Sequence, residues 1–212
     1  LVNLRGKFIT FEGSEGSGKS THIQRLVRRL HAAGAETLLT REPGGTALGE
    51  EIRHLLLHHR AGGIMSPETE LLLFAAARAQ LVREHIAPAL QSGQVVVSDR
   101  FLDSTTVYQG AARRLSTEAV AALNRFAVGD YRPDLTFVLD VPVEVSQARV
   151  RTRSGDKADR IEREDGEFFR RVREGYIALA QAEPQRVALL DSTRPADEVE
   201  AAIWNIVHER LA

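Results

Sequence analysis

Eight consecutive residues, Gly13-Ser14-Glu15-Gly16-Ser17-Gly18-Lys19-Ser20, constrain this chain more than any other stretch. They spell G-x-x-x-x-G-K-S, the P-loop pattern. Lys7-Phe8-Ile9-Thr10-Phe11-Glu12 before them reads as a short strand, and Thr21 to Leu30 after them as an amphipathic helix. That strand–loop–helix setting is what the motif requires. Glycines let backbone N–H groups turn inward toward a polyphosphate. The helix N-terminus adds the positive end of its dipole. Lys19 is placed to reach the β- and γ-phosphates, and Ser20 to hold Mg²⁺. The motif implies a nucleoside triphosphate on residues Gly13 to Thr21, without saying which reaction follows.

A single α/β domain fits the remaining length. The chain has 212 residues, 43% of them hydrophobic, enough for a sizeable core. Its formal net charge of −1 announces neither nucleic acid nor a membrane surface. With no cysteine, disulfides and thiolate metal sites are excluded. The longest apolar run, Leu71 to Ala77, is far too short to span a bilayer. The stretch Leu1 to Lys7 lacks the apolar centre of a secretory leader, so the expectation is a cytoplasmic protein.

Strand and helix patterns alternate along the whole chain. Strands are predicted at Phe8–Phe11, Thr37–Leu39, Val95–Ser98, Thr136–Leu139 and Val187–Leu190. Helices are predicted at Thr21–Ala32, Ala47–Leu57, Glu68–Leu90, Thr117–Val128, Val143–Arg151, Gly166–Gln181 and Ala196–Leu211. Gly34, Gly93 and Gly129 stand where helices should stop. Pro67, Pro142 and Pro195 stand at or just before helix starts. Such alternation implies a parallel sheet covered on both faces, with ligand at the carboxyl ends of the strands. There lie the P-loop, Arg41-Glu42-Pro43-Gly44-Gly45 after the second strand, and Asp99-Arg100 after the third.

Other residues are weaker signals taken alone. Asp99 ends a buried strand, where an acid near a P-loop supports Mg²⁺ or its waters; Asp140 ends the next strand and competes for that role. Arg100 is a natural phosphate ligand, with a surface ion pair as the alternative. Phe74 and Arg78 are four apart on one helix face. Spacing alone reads Phe74 as core and Arg78 as a solvated charge. Arg149, Arg151 and Arg153, ahead of Ser154 to Arg160, read equally well as a lid bringing arginines to phosphates or as a solvated basic helix end. His54, His58 and His59 show no metal pattern, and Leu71-Leu72-Leu73 reads as core.

Taken together, Arg41-Glu42-Pro43-Gly44-Gly45-Thr46, Phe74-x-x-x-Arg78 and Asp99-Arg100-Phe101 resemble bacterial thymidylate kinases. So do Leu102 to Gly110, Arg132-Pro133-Asp134-Leu135 and Asp159-Arg160-Ile161-Glu162, in order along nearly the whole chain. The resemblance implies a three-layer P-loop kinase fold with strand order 2-3-1-4-5 and a mobile lid at about 149–162. It implies transfer of the ATP γ-phosphate to dTMP, giving dTDP for dTTP synthesis, with Mg²⁺, in a homodimer that engages no nucleic acid or membrane. By the same resemblance, Phe74 stacks on thymine, Arg78 donates to O4 and Thr105 meets N3. Tyr108 crowds C2′, Glu15 approaches the 3′-hydroxyl, and Gln109 lines the pocket. Arg100 and Arg53 hold the dTMP phosphate, and Arg41 helps shape that site. Family members carry an extra arginine either in the P-loop or in the lid. Ser14, Glu15, Gly16 and Ser17 include no cation, so this chain resembles the lid-arginine type. Arg153 is the first candidate to join Lys19, Arg100 and Asp99 in catalysis.

Two different readings of the P-loop are weaker. A GTP-driven switch needs D-x-x-G and N-K-x-D, and neither occurs here. A nucleic-acid-driven ATPase fits poorly with the near-neutral charge.

Overall fold

The computed structural model describes residues 4–58, 65–154 and 159–211, with backbone only at Arg153 and Ser154. Five strands, β1 (Phe8–Glu12), β2 (Thr37–Arg41), β3 (Val95–Asp99), β4 (Leu135–Asp140) and β5 (Val187–Asp191), form one parallel sheet in the order β2-β3-β1-β4-β5. Ile9 stands between Val97 and Leu135, and Phe11 between Asp99 and Phe137, so β1 and its P-loop occupy the centre. All five predicted strands exist, each extended by a residue or two.

Side-chain alternation along β1 explains why helices are needed on both faces. Ile9 and Phe11 point to one face, into a core with Ile23, Leu26 and Leu30 of α1 (Lys19–Ala32) and Ile203 and Val207 of α9 (Ala196–Leu211). Phe8 points to the other face, against Val96, Phe101, Leu81 and Ile86. The latter two lie on a helical run comprising α3 (Pro67–Leu81), a π-helical turn (Val82–Ile86) and α4 (Ala87–Ser92). A further cluster packs Val138 and Val187 of the sheet against Phe168, Val172 and Tyr176 of α8 (Gly166–Ala182). Burying this apolar surface at roughly 25 cal/mol per Å² is the main force holding the layers together.

The predicted punctuation operates as expected. Ser66 caps α3 by accepting from Thr69 N–H, with Pro67 in the first turn. Gly93 closes α4 at φ 87°, a left-handed position that costs other residues more. Helices α2 (Ala47–His58), α6 (Thr117–Val128) and α7 (Val143–Ser154) match the expected segments within a few residues. The long predicted helix Glu68–Leu90 is interrupted by its π-helical turn. One helical stretch was missed, α5 (Leu102–Thr105) continuing as a π-helical turn (Thr106–Ala112). It buries Asp103, Thr105 and Gln109 beside Val107 and Tyr108, so polar residues interrupt the apolar period that would have announced it.

Candidate active site

The P-loop joins β1 to α1, and its glycines are demanded by close approaches. A Cβ on Gly13 (φ 132°) would sit 2.6 Å from Leu139 C=O, and one on Gly16 (φ 73°) 2.8 Å from Ser146 C=O. Two serines hold the loop. Ser146 Oγ of α7 donates to Glu15 C=O at 2.6 Å, and Ser192 Oγ after β5 donates to Ser17 C=O at 2.6 Å. Lys19 Nζ bonds Gly13 C=O and Ser14 C=O, each at 3.2 Å, spanning the loop it is to serve. Burial, then the neighbouring Arg100 charge, lowers the Lys19 pKa; Glu15, Asp99 and Glu12 oppose that.

A cavity of about 530 Å³ runs from this loop along the carboxyl ends of the strands. That is the size of an ordinary small-molecule site. Its wall brings together Glu15, Lys19, Ser20, Asp99 and Arg100 with Arg53, Phe74, Thr105, Tyr108 and Gln109. Gly16, Gly18, Thr21, Arg41 and Arg149 line it as well. Gly13, Ser14 and Ser17 shape the loop without lining the cavity.

Arg100 is the centre of the charged part. Its backbone takes φ 71°, an uncommon conformation for a residue other than glycine. Its side chain bonds Glu15 (2.7 Å), Ser104 Oγ (3.0 Å), and the hydroxyls of Tyr176 and Tyr108 (each 3.2 Å). It also lies over the Tyr108 ring, 5.0 Å from the centroid. Burial works against its charge, but Tyr108, Glu15, Tyr176 and Glu12 outweigh burial and hold it cationic. Burial raises the Tyr108 pKa to about 12, which keeps the hydroxyl neutral and able to donate.

Two residues of this network were not expected. Glu12 ends β1 and is fully buried. It accepts from Phe101 N–H (2.8 Å), Ser104 Oγ (2.6 Å) and Tyr176 OH (2.7 Å), fixing the turn that carries Arg100. Burial first, and Asp103 second, raise its pKa. The available signal was an acid on the inward face of a buried strand, immediately ahead of the P-loop. Tyr176 comes from α8, and nothing in its local sequence points to the site.

The two acids competing for a metal role are separated by the structure. Asp140 forms a bidentate pair with Arg173 (2.7 and 2.8 Å) and is thereby occupied. Asp99 Oδ1 is buried with no hydrogen-bond partner, and Asp99 and Ser20 share the cavity wall. A buried carboxylate oxygen without a partner suits a cation, so this donor pair fits Mg²⁺.

Arg78 corrects the solvated-charge reading of its spacing. It is 1% exposed and lies outside the cavity wall. Its guanidinium bonds Glu42 (2.5–3.1 Å), Asn124 Oδ1 (2.9 Å) and Phe101 C=O (3.2 Å). These contacts engage four of its five N–H groups and leave one on Nη1. Burial raises the Glu42 pKa to about 7 against the pull of Arg78. Phe74, read from spacing as core, does both jobs: it lines the cavity and packs against the Ile52, Leu56 and Leu57 cluster. Arg53 Nη1 donates to Pro43 C=O at 2.8 Å, and Arg41 pairs with Glu50 at 3.0 Å. Thr105 Oγ1 is buried without a partner, open to a ligand bond.

The basic helix end also divides. Arg149 Nη1 donates to Gly16 C=O at 3.0 Å, so α7 lays an arginine against the P-loop. The side chain of Arg153, one turn further along, lies outside the described residues, as do residues 155–158 of the expected lid. Arg160 is turned to α2, its Nε on Leu56 C=O at 2.8 Å. Among the described residues no group of three or more acidic, histidine or cysteine side chains forms a metal cluster, and no helix is long and apolar enough to cross a membrane.

Comparison with known proteins agrees with this geometry. The family model described as thymidylate kinase matches residues 11–203. A thymidylate kinase of Methylobacillus flagellatus is 49% identical, across 97% of this chain and 98% of its own length. One of Pseudomonas fluorescens is 50% identical across 98% of each. A crystal structure of thymidylate kinase from Ehrlichia chaffeensis superposes with a TM-score of 0.76 at 32% identity, covering 95% of this chain and 98% of the other. The chain belongs to the thymidylate kinase family.

Proposed function

We propose that this chain transfers the γ-phosphate of ATP to dTMP, giving dTDP for dTTP synthesis. One observation carries the reading: a single cavity joins the P-loop lysine to a pocket walled by Phe74, Thr105, Tyr108 and Arg100. A triphosphate on residues Gly13 to Thr21 meets backbone N–H groups and Lys19 at one end. A monophosphate at the other end meets Arg100 and Arg53, with Arg41 at the rim, while Phe74 stacks on its base. Thr105 Oγ1 offers a bond to N3; the O4 role that the resemblance gives Arg78 requires its remaining Nη1 N–H to turn into the pocket, since its side chain lies outside the cavity wall here. Tyr108 fills space beside the sugar, Glu15 approaches its 3′-hydroxyl, and Gln109 completes the wall.

Such an arrangement needs no general base, because an acceptor phosphate oxygen is largely ionised at neutral pH. The chain's work is to align the two phosphates and neutralise charge on the transferring group. Lys19 and Arg100 do this from the fixed part of the site. Arg149 and Arg153, on one face of α7, do it from the segment at about 149–162, which acts as the lid of the single kinase domain 1–212. Ser20 and Asp99 would hold Mg²⁺, which would supply positive charge against the phosphates and lower their repulsion.

The same reading has the chain work in the cytoplasm as a homodimer, without nucleic-acid or membrane partners. Support for self-association is an apolar surface on adjoining helices: Leu48 and Leu55 of α2, Leu72 of α3, and Phe126 of α6, the last 82% exposed. Light scattering on Phe126→Asp, expected to give a monomer, tests that part. For the activity, ADP release is measured with ATP alone and with dTMP, thymidine, dCMP or dGMP. Release that depends on dTMP and prefers it to the others is expected. Preference for another acceptor, or release independent of any acceptor, overturns the reading.

A further inference from the structure

Glu70, Phe74 and Arg78 succeed one another at four-residue steps and form one stripe along α3. Phe74 and Arg78 have roles in the acceptor reading; Glu70 has none. Yet its carboxylate is 1% exposed, an unusual place for a charge unless it is thoroughly paired. Its partners come from two other parts of the chain. Gln109 Nε2 donates to it at 2.6 Å, and Arg113 donates through Nε (3.3 Å) and Nη2 (3.2 Å). Arg160 Nη2 lies 2.6 Å from Oε2, an ion contact whose N–H groups are not aligned as a hydrogen bond. Arg113 continues to Glu164 at 2.6 Å, returning the network to the segment that carries Arg160.

That segment is itself a compact turn. Asp159 Oδ1 accepts from Ile161 N–H (2.8 Å) and Glu162 N–H (2.9 Å), while Glu162 accepts from Asp159 N–H (3.1 Å). The turn is tied to the end of α2 by Arg160, through N–H on Leu57 C=O (3.2 Å) and Nε on Leu56 C=O (2.8 Å). Guanidinium groups are favoured at helix carbonyl ends. Held there, the turn puts Asp159, Ile161 and Glu162 on the cavity wall. Ile161 packs against both apolar clusters that meet at the pocket, the one with Leu56 and Phe74 and the one with Tyr108 and Phe168. Gln109 reaches the same wall from the opposite side. Because its amide nitrogen faces a carboxylate, its carbonyl is the acceptor it offers to a ligand.

We infer that Glu70 is a positioning residue for the acceptor nucleotide. One buried carboxylate sets the orientation of the Gln109 amide and seats the 159–164 turn, so that both walls close on the same ligand. This rests on the assignment of that pocket to dTMP. Glu70 touches neither substrate, and its effect travels through Gln109 and Ile161. Removing its charge should loosen the acceptor pocket and leave the P-loop as it is.

The test measures KM for dTMP and for ATP, kcat and thermal melting in Glu70→Gln, Arg160→Gln and the double variant. In Glu70→Gln, KM for dTMP should rise about tenfold or more, as expected for losing bonds to a charged group. KM for ATP should stay within about twofold, and kcat should fall less than KM for dTMP rises. Arg160→Gln should show part of the same change, and the double variant should be no worse than Glu70→Gln. Unchanged KM for dTMP in folded variants overturns the inference. So does a parallel rise in both KM values with a lowered melting temperature, which marks general loosening, or effects of the two substitutions that multiply. If Glu70→Gln does not fold, Arg160→Gln decides the matter by the same split of KM values. Wild-type protein run alongside separates the two levels: no activity on dTMP there sinks the pocket assignment itself, whereas normal wild-type activity with unaltered variants sinks only the role of Glu70.

Discussion

At one end of the cavity, eight consecutive residues run from the end of β1 into the first turn of α1 and form the P-loop. Their carbonyls are bonded by Lys19, Ser146 and Ser192. At the other end, the wall is gathered from α2, α3, the β3 end, the helical stretch after it and the turn at 159–162. The first end is a matter of local backbone shape, carried by glycines where a Cβ would collide with carbonyl oxygens. The second is a matter of side chains fixed by buried charge networks, Glu12 with Arg100, Glu42 with Arg78, and Glu70 with Arg113 and Arg160. A loop made of backbone serves any triphosphate. A pocket made of cross-linked side chains selects its ligand, and damage to it should appear in acceptor binding before it appears in phosphoryl transfer.

The largest effect belongs to Lys19→Ala. In the proposed reading Lys19 acts on phosphates at the point of transfer, and removing one preorganised donor lowers kcat by about 10²–10³ in other enzymes. A loss of about 10³-fold or more is expected here, with the melting temperature little changed, since Lys19 is not part of an apolar cluster. Retention of a tenth of wild-type kcat would sink the idea that this end carries the transfer step.

The arginines of α7 come next, because Arg149 lines the cavity and bonds the P-loop at Gly16 C=O. Alanine at Arg153 should lower kcat by about 10²–10³-fold with dTMP affinity near wild type, by analogy with other catalytic donors. Arg149→Ala should lower it as well, given its bond to Gly16 C=O. Arg160→Ala should instead raise KM for dTMP, because its guanidinium is turned to α2 and Glu70. If Arg149→Ala and Arg153→Ala both leave kcat within about threefold of wild type, far below a donor's usual contribution, charge neutralisation from α7 fails.

Phe74→Ala probes the acceptor end directly. Base stacking on an aromatic ring is typically about 1–3 kcal/mol, so dTMP affinity should fall roughly five- to 150-fold while ATP affinity barely moves. Phe74 also contacts the Leu56 cluster, so some loss of melting temperature accompanies it. Lost stability with unchanged dTMP affinity would return Phe74 to the core alone.

How far the sequence discloses each end follows the same division. The P-loop is legible because its glycines, Lys19 and Ser20 are consecutive and their reasons are local. The strands are legible because buried parallel strands are apolar runs, which fixes the sheet without fixing its order; the order 2-3-1-4-5 came from resemblance. Phe74 and Arg78 show only helical spacing, which argues for core and solvent. What makes Arg78 a buried guanidinium is Glu42, thirty-six positions away. Asp99 and Asp140 are alike as sequence, and Arg173 distinguishes them only in space. Glu12 at the end of β1 and Tyr176 on α8 meet at 2.7 Å although 164 positions separate them. Side-chain networks of that kind carry no periodic signal, and residues such as Glu70 come to notice only once their partners are in place.

The smallest effect is a pH dependence at the acceptor end. Burial pushes the Glu70 carboxyl up, but Gln109, Arg113 and Arg160 outweigh it and leave its pKa below the usual value of 4.5. A carboxylate held lower in the folded chain than in the unfolded one stabilises the fold fully above about pH 4.5. That contribution is lost as pH falls through the folded value. Glu12 and Glu42 are shifted the opposite way, so wild-type melting alone mixes contributions of both signs. The difference between wild type and Glu70→Gln isolates one carboxylate. At pH 7 the wild type should melt a few degrees higher, at about 2–4 °C per kcal/mol for a chain of this size. Toward pH 3 the gap should narrow, because below about pH 4.5 the unfolded chain takes up a proton that the folded carboxylate resists. A gap that stays constant from pH 7 to pH 3 would mean that Glu70 contributes by shape, leaving its ion pairs with Arg113 and Arg160 without energetic consequence.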